Sequence, residues 1–137
     1  MATTLTFHRR HDYSPQARDG ITVPVQLTVG QSAVRLHAKL DTGASFCIFE
    51  REYGEQLGFN VESGREVTVF TVNSRFQVYG HEVTITCFDW TFASEVFFAG
   101  SPEIHRNVLG RRGWLQQFRM ALIDYDSVLH LSHYNQQ

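Results

Sequence analysis

The segment 38–46, which reads AKLDTGASF, constrains this chain more than any other stretch of its sequence. Apolar and polar residues alternate over 33–40, a pattern typical of a half-buried β-strand. The alternation stops at Asp41, and Thr42 and Gly43 complete a turn in which glycine tolerates backbone angles that a Cβ would forbid. The sequence therefore predicts a strand that delivers a carboxylate to the tip of a tight turn.

This turn has both a structural and a functional interpretation. In the structural one, Asp41 is an ordinary turn residue and Ser45 a capping residue. The functional one gains support from a second motif, in which two apolar residues and Gly-Arg follow Asn107 about sixty-five residues downstream. In this order and spacing, the two motifs resemble the catalytic loop and the bracing segment of retropepsin-like (retroviral-type, single-domain) aspartic proteases. The resemblance covers residues 21–132, and the chain resembles short bacterial members of this family more closely than viral ones.

The resemblance implies a role for each residue of the two motifs. Asp41, Thr42 and Gly43 correspond to the catalytic loop, with Thr42 bonded to the loop of a second subunit. The implied substrate-binding residues are Ala44, Ser45, Val72, Asn73, Ser74, Val108 and Leu109.

Gly110 and Arg111 correspond to the segment that supports the loop from beneath. Viral enzymes carry an Asp at the position of Ser45, and it pairs with the Arg of the bracing segment. Asp124 and Glu50 remain the alternatives for the partner of Arg111.

The chain as a whole is predicted to be mostly β. The resemblance implies the closed barrel of the acid proteases, with one or two short helices. We expect residues 21–137 to form the protease domain and residues 1–20 an N-terminal segment. Within that segment, Leu5–His8 alternates like an edge strand, and 3–13 is a candidate interface strand. The alternative is a frayed tail.

Several further elements follow from local patterns. Residues 21–29 and 33–40 form a predicted hairpin, and 50–57 a helix that ends at Gly58. A bend or bulge is expected at Gly80-His81, where the apolar phase changes. After a helix-like 113–118, the segments 120–124 and 127–131 form a last hairpin, whose second strand is another candidate for the subunit interface.

A long hairpin near the middle of the chain corresponds to the flap that closes over substrate. Its strands, 67–72 and 75–79, flank the turn residues Asn73 and Ser74. A two-residue loop there places Val69 opposite Val78 and Thr71 opposite Phe76. The flap tip of viral enzymes is rich in glycine, and this tip contains none.

Length and charge exclude several classes of function. A chain of 137 residues suits one domain and is too short for a two-lobed aspartic protease. The formal net charge of −2 does not favour nucleic acid or an anionic membrane surface as a partner. No apolar run approaches the roughly 18 residues of a membrane span, and no signal-peptide pattern is visible, so we expect a cytoplasmic protein. Cys47 and Cys87 are predicted to be buried free thiols.

Hydrolysis of a peptide bond by this route needs two carboxylates that share one proton. Only Asp41 has the required context, so the second carboxylate must come from a second copy of the chain. We therefore expect a homodimeric aspartic endopeptidase that acts on extended polypeptides, with apolar side chains in alternate pockets and no cofactor.

A metal site is not expected. The pairs His8/His11 and His130/His133 are three residues apart, and side chains at that spacing on a strand point to opposite faces. Two alternatives to a protease remain at this point. One is a weakly active or inactive dimer of the same fold that binds peptides, and the other is a β-barrel that binds a small apolar ligand.

Overall fold

The computed structural model describes residues 1–18 and 20–136, and β-strands dominate it. Segments in which apolar and polar residues alternate form strands, because a strand places alternate side chains on opposite faces and can bury the apolar one. The ten strands are β1 (Arg9–Asp12), β2 (Thr22–Val29), β3 (Ser32–Leu40), β4 (Ile48–Phe49), β5 (Arg65–Phe70), β6 (Arg75–Cys87), β7 (Trp90–Ala99), β8 (Val108–Leu109), β9 (Phe118–Ile123) and β10 (Val128–His133).

The helices are short. One α-helix, α1 (Arg51–Gln56), ends shortly before Gly58, as predicted. Three single turns of 3-10 helix are Val61–Ser63, Leu115–Gln117 and Asp124–Asp126. Among the described residues, none of these helices combines the length and the apolar composition that crossing a bilayer requires.

Seven strands form the main sheet, in the order β2-β3-β8-β4-β7-β6-β5. Strand β2 also pairs with β6, from Gln26↔Thr86 to Thr28↔Thr84, so the sheet closes on itself as a ring with β5 attached outside. The mostly-β fold class is thereby confirmed. The short β8 lies parallel to β3 and antiparallel to β4, and this places residues before position 110 beside those before position 42.

The remaining three strands form a second sheet in the order β1-β10-β9. The N-terminal strand is Arg9–Asp12 and not Leu5–His8, because pairing with β10 decides its position: Arg9 lies opposite Leu131. Both edges of β10 are paired within the chain, with β1 and with β9, and a role for β10 at a subunit interface stays a prediction. The outer edges of this sheet belong to β1 and β9.

The core fills the ring and extends beneath the second sheet. Its largest fully buried side chains include Trp114, Phe49 and Phe98. Cys47 and Cys87 are buried and unbonded, as predicted. Burial raises the pKa of each thiol to about 12, so neither is a nucleophile at neutral pH.

The structure corrects the predicted register of the long hairpin. Val69 lies opposite Phe76, and the chain reverses through four residues, 71–74. A two-residue hairpin loop needs positive φ angles, and among the described non-glycine residues only Phe88 and Ser127 have one. Asn73 and Ser74 therefore cannot form that loop alone.

The predicted bulge at Gly80-His81 is absent. Strand β6 pairs with β7 without interruption from Val78↔Ala99 to Cys87↔Trp90. The face of β6 that carries the apolar residues changes along the strand for another reason. Both halves of β6 pair with β7 on one edge, but they pair with different strands on the other edge. The first half pairs with β5 and the second with β2.

Candidate active site

The loop 41–45 leaves the end of β3 and is fixed mainly through its backbone. The Asp41 N–H donates to the carbonyl of Leu109 over 3.1 Å, and the Ala44 N–H donates to the carbonyl of Asp41 over 3.2 Å. The carboxylate Oδ1 of Asp41 accepts from the Gly43 N–H at 3.0 Å. Asp41 is partly buried, whereas Thr42 and Gly43 are exposed. The loop thus presents one oriented carboxylate at the surface.

The bracing segment holds this loop from the other side. The Arg111 N–H donates to the Ala44 carbonyl at 2.8 Å, and the Arg112 N–H donates to the Ser45 carbonyl at 2.9 Å. Gly110 directly precedes Arg111, and a Cβ at this position would be 2.2 Å from the carbonyl oxygen of Phe46. Glycine at this position therefore allows the two backbone segments to touch.

Two predicted roles change once the side chains are placed. Leu109 is fully buried in the core, so it cannot line a substrate-binding surface; its contribution is the carbonyl that holds Asp41. Arg111 is exposed and supports the loop through its backbone. Neither predicted partner pairs with it: Asp124 accepts from the Tyr13 hydroxyl, and Glu50 bonds elsewhere.

Glu50 belongs to a small polar network at the start of α1. Its N–H donates to Oδ1 of Asn107 at 3.0 Å, and its carboxylate accepts from Nδ2 of Asn107 at 2.9 Å. The ring Nδ1 of His105 lies 3.0 Å from the other carboxylate oxygen. The Asn107 hydrogen bond, followed by His105, holds the pKa of Glu50 below its usual value. The network ties α1 to the residues that lead into β8.

A cleft of about 520 Å³ lies directly beside Asp41. Lys39 and His37 line it from β3, and Arg106 lines it from the segment before β8. Val108, one of the predicted substrate-binding residues, is also part of the wall. Sequence reasoning missed the three basic residues, although positions 37, 39 and 41 share one side of a strand by simple alternation.

The predicted flap projects from an apolar cluster next to the loop. Phe76, Val69 and Ala44 all pack against this cluster, whose buried members are Ile48, Val78, Phe97 and Val108. The tip is closed by a hydrogen bond of 2.8 Å from the Thr71 N–H to the Ser74 carbonyl.

The tip residues predicted to bind substrate, Val72, Asn73 and Ser74, are exposed. No hydrogen bond between described residues joins them to the 41–45 loop. The structure therefore brings the two sequence motifs together, whereas no hydrogen bond between described residues joins the flap tip to them.

The other histidines have structural partners. The ring Nε2 of His81 donates to the carbonyl of Val61 at 2.8 Å, and the ring stacks on Phe59. His8 bonds to Ser132, and His133 bonds to Asn135.

Comparison with solved structures identifies the fold. A retropepsin-like aspartic protease from Rickettsia conorii superposes with a TM-score of 0.62 at 21% identity, over 86% of this chain and 94% of the other. EIAV protease in complex with the inhibitor HBY-793 superposes with a TM-score of 0.53 at 20% identity, over 70% of this chain and 86% of the other. No protein-family model matches the sequence, and no curated protein matches it.

Proposed function

Since the chain has the retropepsin-like fold, we propose that it is an aspartic endopeptidase that hydrolyses peptide bonds in extended polypeptides. One observation carries the proposal: the Asp-Thr-Gly turn lies at the end of β3, with its carboxylate oriented by Gly43 and its backbone held by Leu109. A fold alone does not specify an activity, so the proposal depends on these residues.

The chemistry requires a second carboxylate next to Asp41. Two carboxylates about 3 Å apart share one proton, because both cannot be ionised at that distance. The ionised one takes a proton from a water molecule, which attacks the peptide carbonyl carbon, while the protonated one donates to the carbonyl oxygen. Collapse of the tetrahedral intermediate breaks the C–N bond, and the amine leaves with a proton from the pair.

We infer that the second carboxylate is Asp41 of another copy, in a two-fold dimer. Within the chain, Glu50 lines the same cleft, but both of its oxygens are already engaged by Asn107 and His105. Thr42 and Gly43 are exposed at the tip of the loop, where a second loop can reach them. In the dimer, Thr42 bonds to the opposite loop and Gly43 contacts the substrate backbone.

A charge-neutral substitution tests the catalytic role. Asp41→Asn keeps the shape of the side chain but removes the shared proton, so hydrolysis of a mixed peptide library should fall by about 10²–10⁴-fold. Asp89→Asn is the matched control, because Asp89 is largely exposed and its nearest cation is Arg9 at 3.6 Å. Full cleavage by folded Asp41→Asn protein would refute the mechanism.

Subunit mixing tests the dimer separately. Wild-type chains are mixed with an excess of folded Asp41→Ala chains, and exchange is monitored by native mass spectrometry. Each mixed dimer then holds a single carboxylate, so activity per wild-type chain should drop well below its value after dilution alone. Unchanged activity after demonstrated exchange would show that Asp41 is not shared between chains.

The glycine-free flap tip favours a second candidate, a peptide-binding dimer with little turnover. Thr71 and Ser74 close this tip through side-chain as well as backbone hydrogen bonds, which restricts its motion. A binding module would take up peptides without cleaving them, and Asp41→Asn would leave its affinity unchanged.

A further inference from the structure

The cleft beside Asp41 is unusually basic for a site next to a catalytic carboxylate. Lys39, Arg106 and Arg18 contribute three cationic side chains to its wall, together with the titratable His37. Among the described residues that line it, two are carboxylates, and Asp41 is one of them. This composition differs from the apolar pocket expected from the sequence.

The second carboxylate, Glu50, does not neutralise these cations. It is only 20% exposed, and Asn107 and His105 occupy its oxygens at 2.9 and 3.0 Å. Within residues 1–18 and 20–136, neither Lys39 nor Arg106 forms a salt bridge. Two cations therefore face the cleft with unused hydrogen-bond donors.

Both cations are positioned by the elements that hold Asp41. Lys39 lies opposite Val108 in the parallel β3–β8 ladder, and its N–H donates to the Asn107 carbonyl at 2.8 Å. Because it precedes Asp41 by two residues, it is about 7 Å away along the strand and on the same side. The guanidinium of Arg106 lies 5.5 Å from the ring centre of Phe76, which is one residue pair from the turn of the flap hairpin.

We propose that this cleft binds an acidic side chain of the substrate next to the scissile bond, and that Lys39 and Arg106 determine this specificity. The inference rests on the proposed peptidase function. A carboxylate there accepts charge-assisted hydrogen bonds, and the planar fork of Arg106 can engage both of its oxygens. An apolar side chain would instead desolvate two cations without giving them a partner.

Peptide cleavage gives the first test. Peptide pools that differ only in Glu, Gln or Leu on either side of the cleavage site are hydrolysed by wild-type protein and by Lys39→Gln, Arg106→Gln and the double variant. In the wild type, we expect kcat/KM for Glu peptides to exceed that for Gln peptides about three- to tenfold. In the double variant, the two values should be nearly equal. Arg35→Gln is the matched control: Arg35 lies on the same exposed side of β3 but does not line the cleft.

A binding measurement tests the cleft without hydrolysis. Lys39 is the only lysine in the sequence, so an amine-acetylating reagent modifies the chain at Lys39 and at the α-amino group, which serves as the internal reference. In folded Asp41→Asn protein, Glu peptides should slow acetylation of Lys39 at least threefold more than Gln peptides. This difference should shrink as salt is added, because exposed charges are screened.

The outcomes separate the two proposals. Cleavage with equal rates for Glu, Gln and Leu peptides, unaffected by the Lys39 and Arg106 variants, overturns the acidic subsite and leaves the peptidase intact. Protection of Lys39 by Glu peptides without any cleavage by wild-type protein supports the subsite and refutes the peptidase. Equal effects of Glu and Gln peptides on acetylation overturn the subsite.

Discussion

Replacing the buried Gly110 with alanine should destabilise the protein strongly, because the added methyl group would collide with backbone atoms. An ideal Cβ at Gly110 would lie 2.2 Å from the oxygen and 2.6 Å from the carbon of the Phe46 carbonyl, and 2.8 Å from the Ala44 carbonyl oxygen. The first of these is more than about 1 Å short of an ordinary van der Waals separation. All three atoms belong to the backbone, so no side-chain rotation relieves the contact.

The loss of stability can be worked out from what must move. Separating the two segments stretches the hydrogen bonds from Arg111 to Ala44 and from Arg112 to Ser45, which are 2.8 and 2.9 Å long. Each contributes about 1 kcal/mol net, and forced overpacking costs about 1–3 kcal/mol more. The free energy of unfolding should therefore fall by about 3–5 kcal/mol. With an unfolding entropy of about 2.1 cal/mol/K per residue, the melting temperature should drop by about 10–17 °C.

Thermal and urea denaturation, followed by circular dichroism at one fixed protein concentration, measures this change. The fixed concentration matters because subunit association would itself alter the apparent stability. Gly30→Ala is the control: Gly30 has a φ of +56°, and nothing lies within 4 Å of its Cβ position. It should cost only about 1–2 kcal/mol, from the left-handed backbone alone. A melting temperature for Gly110→Ala no lower than that of Gly30→Ala would refute the steric argument.

Three further predictions follow from other contacts. Amides of 72–75 should exchange hydrogen faster than those of the β6–β7 ladder, and their exchange should slow when a peptide binds. Equal protection without ligand and no change on binding would contradict the flap assignment. The lowered pKa of Glu50 implies a contribution to stability that is present above pH 4.5 and is lost as the pH falls through the pKa of the folded state. Glu50→Gln should therefore flatten the acid side of a plot of melting temperature against pH. Parallel plots for the variant and the wild type would contradict this. Burial and Asp124 raise the pKa of Tyr13 to about 12, so the contribution of Tyr13 to stability persists up to pH 10 and is lost towards pH 12. Tyr13→Phe should lower the free energy of unfolding at pH 7 by about 1–2 kcal/mol. An unchanged urea midpoint would contradict this.

The sequence was sufficient where structure depends on neighbours along the chain. The hairpin of β2 and β3 has a clear alternation and a glycine at its turn, and both are present as predicted. The short α1 and its end before Gly58 were likewise predictable from local composition and capping. The contact between the two motifs was expected only through the resemblance, because hydrogen bonds such as Asp41 to Leu109 leave no periodic pattern.

Predictions failed where a distant partner decides the outcome. The chain reverses through the four residues 71–74 and not through a two-residue loop, since such a loop needs positive φ angles and Asn73 and Ser74 do not adopt them. Leu109 is buried because β8 lies between two strands, whereas the motif alone does not say which of its apolar residues faces the cleft. The cationic wall was missed because the pairing of Lys39 with Val108 joins segments that are far apart in sequence.

The two-residue strand β8 also determines when the Asp41 loop can form during protein synthesis. Its Leu109 carbonyl is made roughly seventy residues after Asp41, and at about 5–20 residues/s this delay lasts roughly 4–14 s. Until then the loop lacks its hydrogen bonds with Leu109, Arg111 and Arg112, although β2 and β3 can already pair. A nascent chain therefore carries its candidate catalytic carboxylate in an unformed loop until most of its own sequence has left the ribosome.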